Sequence, residues 1–139
     1  MEVLIDLVEQ DIDTESLYQW VLVPEAGSIV AFTGTVRNQS SNKSVTRLEF
    51  EAYKPMAKKE LRKIVDQIAK EYDILRVAIH HRIGIVPVGE VAVYIAVATP
   101  HRAGGFKVCE YIIDTLKKTV PIWKKEVFED GEVWVSAKP

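Results

Sequence analysis

The chain has 139 residues, a net charge of −2 and 47% hydrophobic residues, which suits one domain with a buried core over residues 1–139 and excludes global disorder. No apolar run approaches the roughly 18 to 20 residues of a membrane span, and no basic stretch followed by an apolar one opens the chain, so a cytoplasmic protein is expected. The one cysteine, Cys109, excludes an internal disulfide and falls on the apolar side of a helical pattern, where a buried, inert thiol is expected.

Up to Val36 there are seven acids and no Lys or Arg. A polyanion would meet an acidic end here, so no nucleic-acid partner is expected, nor a membrane one. Residues 2–8 read as a strand, after which Asp13 or Thr14 caps a short helix carrying Leu17, Tyr18, Val21 and Leu22 and ended by Pro24. SIVAFTGTVR is β-rich to about Val36, and NQSSNKS, with no apolar residue, reads as a mobile loop. In VTRLEFEAY, Val45, Arg47, Glu49 and Glu51 alternate with Leu48 and Phe50 as one wet and one dry face would.

Pro55 opens a long amphipathic helix to about Tyr72, with Leu61, Ile64, Val65 and Ile68 at helical spacing and its charges on the solvated side. Residues 74–85 form a strand joined through Pro87-Val88-Gly89-Glu90 to residues 91–98, an antiparallel hairpin whose second strand looks covered on both faces and therefore central. Thr99-Pro100 reads as the N-cap and first turn of a helix carrying Phe106, Cys109, Ile112, Ile113 and Leu116 on its apolar side. IWKKEVF, the turn Glu129-Asp130-Gly131 and EVWV close the chain as another hairpin. Helices and hairpins interleave without a regular parallel βαβ repeat, which predicts an α+β fold.

Nucleotide-loop, zinc-protease, hydrolase-elbow and dithiol signatures are absent from the sequence. His80-His81 is no metal pair, because adjacent strand residues point to opposite faces. Between His101 and Lys125 stand six Lys or Arg against two acids, a local concentration of positive charge. His101 and Arg102 fall at a helix start, where free N–H groups and the helix dipole favour an anion. Lys117 lies at the edge of the apolar helix face and Lys124 follows the rigid Pro121-Ile122-Trp123, so each is placed to point into a pocket wall. A desolvated lysine serves as acid, base, nucleophile or anion clamp. Arg37, at the mouth of the polar loop, is a further candidate anion ligand.

The segments IVAFTGTVRN, LEFEAYKPMAKKEL, HRIG followed by PVGE, PHRAGGF and LKKTVPIWKKE, in this order, resemble the large, catalytic subunit of molybdopterin synthase, the MoaE family, from about Ser28 to Trp134. The resemblance implies an α/β-hammerhead-type fold, a homodimer within a heterotetramer, and a small ubiquitin-like sulfur-carrier subunit as partner. It implies transfer of two sulfurs from that carrier's C-terminal Gly-Gly thiocarboxylate to cyclic pyranopterin monophosphate, forming the dithiolene of molybdopterin without a further cofactor or metal. Matched motif by motif, it makes Lys117 and Lys124 catalytic and gives Arg37, His101 and Arg102 to substrate binding. Where the family carries an arginine near its C-terminus that reaches the partner protomer's site, this chain offers Lys138, a point charge in place of a bidentate fork. The alternative function is a non-catalytic dimeric module that binds a phosphorylated metabolite or an acidic tail, for which Lys117 would be dispensable.

Overall fold

The strand with both faces covered is an inner strand of a four-stranded sheet. The computed structural model describes the backbone of residues 1–137 and the side chains of residues 1–131. In chain order the elements are β1 (Glu2–Val8), α1 (Thr14–Val21), β2 (Ser28–Thr35), β3 (Gln39–Ser40), β4 (Lys43–Ala52), α2 (Lys54–Ile68), β5 (Arg76–Arg82), β6 (Gly84–Pro87), β7 (Val91–Thr99), α3 (Arg102–Thr119), β8 (Ile122–Phe128) and β9 (Gly131–Ala137). The first sheet runs β1-β5-β7-β2, with β1 and β5 parallel and the other pairs antiparallel. This is a mixed α+β architecture, as the patterning predicts.

The two faces of β7 explain its composition. Val93, Ile95 and Val97 enter the main core, where Leu61 and Val65 of α2 and Val108 and Ile112 of α3 pack over the sheet. On the reverse face Ala96 and Ala98, with Ala78 of β5, are small enough for Leu17 and Val21 of the short α1 to lie close. Leu61 and Ile112 are fully buried, and each contributes about 1.5–3 kcal/mol by leaving water. Asp13 caps α1 by accepting the Ser16 N–H at 3.0 Å and its hydroxyl at 2.7 Å. The helix stops at Val21, three residues before the Pro24 that prevents its continuation.

The second sheet places β4 beside β8, β8 beside β9, and both β3 and β6 along the other edge of β4. The single strand predicted over 74–85 is therefore two strands in different sheets. Gly84, at φ 87°, makes the break: it turns the chain out of the first sheet so that Ile85 and Val86 pair with Glu49 and Leu48. The polar stretch after Arg37 is also no open loop. Ser41 and Asn42, at φ 53° and 63°, form a two-residue turn joining β3 to β4, the left-handed geometry that suits the twist of a hairpin.

Three helix expectations are corrected as well. Thr99 is the last residue of β7, buried, with its hydroxyl donating to the His101 carbonyl at 2.8 Å; His101 is the N-cap, and α3 begins at Arg102. Phe106 is 62% exposed, and Val108 takes the core position instead. α2 ends at Ile68, short of Tyr72. Among the described residues no helix is long and apolar enough to cross a membrane. Lys138 lies outside the described residues.

Candidate functional site

A pocket of about 270 Å³ opens at the seam between the two sheets, beneath the C-terminal end of α3. β2 and β7 supply Phe32, Gly34 and Val93, β4 supplies Leu48 and Phe50, and α3 supplies Ile113 and Leu116. Two cations enter this largely apolar enclosure, Lys117 and Lys124. They come from different elements because Pro121 ends the helix: Val120, held extended at ψ 131°, turns the chain, and its N–H still reaches the Leu116 carbonyl at 3.2 Å. The chain then enters β8, where Lys124 pairs in register with Phe50 and so shares its face. Lys117 also sits in the last turn of α3, where the negative end of the helix dipole favours a cation.

The two adjacent lysine pairs are each divided by geometry. Lys125 faces away from Lys124 and lies 3.5 Å from the Glu49 carboxylate. Lys118 lines a separate groove between α2 and α3, with Glu71, Glu110 and Asp114. Lys124 is half-buried, whereas Lys117 is exposed, so the expectation of a desolvated ammonium does not hold for Lys117 within one copy of the chain.

The other three sequence candidates do not line the pocket. Arg37 is exposed and lies two residues beyond Thr35, which with Gly34 does line it. His101 and Arg102 are exposed at the opposite end of α3. Arg102 and Lys117 are separated by about 22 Å at 1.5 Å per helical residue. One chain therefore forms two cationic places rather than one. No side chain caps the first turn of α3, whose N–H groups are left to other acceptors.

His81 is the lining residue that sequence reasoning missed. Its alternation with Val77 and Ile79 on β5 was the available signal, since it put the ring on the core face. The ring is 6% exposed, lies at 79° to the Phe50 ring with centroids 4.9 Å apart, and is held by burial at a pKa of about 4, below the 6.5 of a free imidazole. His80 points to the other face, with its pKa lowered by burial and opposed by Asp6. Cys109 is buried, and burial pushes its thiol up to about 11, which makes it unreactive.

Two further features shape the pocket. Gly34 is there because a side chain would not fit: a Cβ would stand 2.6 Å from Val93 Cγ1 and 3.2 Å from the Phe32 ring. The arrangement as a whole offers an anion two ammonium groups beside apolar walls, where charge is screened less than in water.

The profile of the family described as MoaE protein matches residues 7–119. A molybdopterin synthase catalytic subunit from Thermoplasma volcanium is 46% identical over 127 residues, covering 91% of this chain and 93% of that one. One from Bacillus subtilis is 45% identical over 130 residues, covering 94% of this chain and 83% of that one. The crystal structure of molybdopterin synthase from Staphylococcus aureus superposes with a TM-score of 0.89 at 39% identity, covering 94% of this chain and 96% of that one.

Proposed function

This chain belongs to the MoaE protein family, and from that premise we propose that the pocket between α3 and β8 is the place where sulfur is transferred. The chain serves molybdenum cofactor biosynthesis as the catalytic, sulfur-transferring subunit of a molybdopterin synthase. The observation that carries the site assignment is the convergence of Lys117 and Lys124 in one apolar-walled pocket. Attack by the thiocarboxylate on a pterin carbon carries its negative charge onto the substrate, departure of oxygen places charge on the leaving group, and hydrolysis of the resulting thioester leaves the sulfur on the pterin and the carrier as its carboxylate. An ammonium beside apolar walls stabilises that charge: Lys124 is half-buried there already, and the exposed Lys117 becomes less screened when the carrier tail and substrate cover the pocket.

The partner in this reading is a small ubiquitin-like carrier whose Gly-Gly thiocarboxylate enters the pocket, and the substrate is cyclic pyranopterin monophosphate. Lys117 acts on the reacting centre, with Lys124 beside it. Arg37, His101 and Arg102 hold the phosphate. Because Arg102 stands about 22 Å from Lys117 along its own helix, a second copy of the chain supplies His101 and Arg102 to each pocket. The homodimer is thus a requirement of the assignment. We place the reaction in the cytoplasm, where a lone thiol such as Cys109 stays reduced, and assign it to a single domain. Single-turnover sulfur transfer from a thiocarboxylated carrier tests the reading: dithiolene product must form with the wild-type chain and fail with Lys117→Ala.

A further inference from the structure

The imidazole of His81 has a defined tautomer. Its Nδ1 lies 2.7 Å from the carbonyl oxygen of Arg82, an atom that only accepts, so Nδ1 carries the proton and Nε2 is left with its lone pair. That carbonyl is itself held in place, because the Arg82 guanidinium donates to Glu90 at 2.7 Å and to the Ile85 carbonyl at 3.2 Å. The perpendicular Phe50 ring fixes the imidazole plane. Among the described residues Nε2 has no hydrogen-bond partner, although the side chain is more than nine-tenths buried and lines the pocket. The lone pair is not sealed in the core: it is open to the pocket that the ring lines, so a ligand there can satisfy it.

We propose that His81 Nε2 accepts a hydrogen bond from a ring N–H of the pterin substrate at the inner wall of the pocket. The proposal rests on the reading of this pocket as the sulfur-transfer site. The phosphate, assigned to Arg37, His101 and Arg102, and the thiocarboxylate, drawn to the two lysines, bring only acceptors, which a lone pair repels. The pterin ring is the component that combines N–H donors with a flat apolar body, and the wall around His81 is made of Phe32, Phe50 and Val93. Burial, which holds the ring neutral at the pH of the cytoplasm, keeps Nε2 an acceptor there. The hydrogen bond to the Arg82 carbonyl opposes that shift only in part. His81 thus sets the orientation of the pterin, while the cations hold the anionic groups.

The test uses the full chain with pterin substrate and carrier titrated separately. His81→Phe keeps an aromatic ring against Phe50 but removes the acceptor, and His81→Gln places a carbonyl oxygen near the Nε2 position. For the pterin, His81→Phe is expected to bind about 10-fold more weakly than wild type. His81→Gln should recover most of that loss, and carrier binding should be unchanged in both. In the wild-type protein the ¹⁵N resonance of His81 Nε2 should move when pterin is added, a readout that survives even if a variant fails to fold. A stationary resonance, wild-type pterin affinity in His81→Phe, or a loss confined to the carrier would each overturn the proposal. Lys124→Ala separates the two levels. If it weakens pterin binding while His81→Phe does not, only the His81 assignment fails. If neither changes binding, the pocket assignment fails with it.

Discussion

Lys124 stands directly across the β4–β8 ladder from Phe50, the ring that also packs edge-on against His81. One aromatic side chain therefore separates a half-buried ammonium from a neutral imidazole. Around it the pocket has a cationic side at Lys124 and an uncharged side at His81.

The stability of the protein should depend on pH through His81. The unfolded chain takes up a proton near pH 6.5 and the folded chain only near 4. Stability present above 6.5 is therefore lost as pH falls through this window and levels off below about 4. The loss is on the order of 3 kcal/mol for a fully buried ring. His80 is shifted in the same direction, so the informative quantity is the difference from His81→Gln. Urea titrations between pH 7 and 4.5 should show a shallower decline in the variant; parallel curves would mean that His81 is protonated in the fold.

Gly34→Ala should narrow the pocket from its wall. The new Cβ meets Val93 Cγ1 at 2.6 Å, and a destabilisation of about 1–3 kcal/mol follows from overpacking. Thermal unfolding measures that cost, and calorimetry with pterin and carrier should show weakened binding beyond it. A variant that binds both as well as wild type would place the ligands elsewhere.

Much of this was legible in sequence, and the failures have identifiable causes. β7 was readable as a central strand because large and small residues alternate along it. Lys117 and Lys124 were readable because one borders an apolar stripe and the other follows a proline. The break at Gly84 was hidden, since a glycine between two β-rich runs looks the same whether the chain continues or changes sheets. The Ser41-Asn42 turn was hidden because it lacks the glycine that usually marks a left-handed pair. The distance between Arg102 and Lys117 follows from helix geometry alone, yet the resemblance grouped them by role and passed over their spacing.

Arg102→Ala should weaken binding of the pterin substrate by about 1.5–3 kcal/mol, the range for a hydrogen bond to a charged group. On the proposed sharing of this residue between copies, mixing Lys117→Ala with Arg102→Ala chains at a substrate concentration too low for the Arg102→Ala dimer to bind should restore product. Random exchange in a two-fold dimer gives about a quarter of the wild-type sites. Mixtures as inactive as either parent would show that no site is shared between copies.

The central claim is that Lys117 acts in the transfer step itself, and single-turnover formation of dithiolene with saturating thiocarboxylated carrier tests it most directly. Lys118 is the control of equal charge, one residue on and lining a different groove. Lys117→Ala should lose most product formation while keeping its fold and its carrier binding, and Lys118→Ala should stay near wild type. Conversion of substrate by Lys117→Ala at the wild-type rate would contradict the claim.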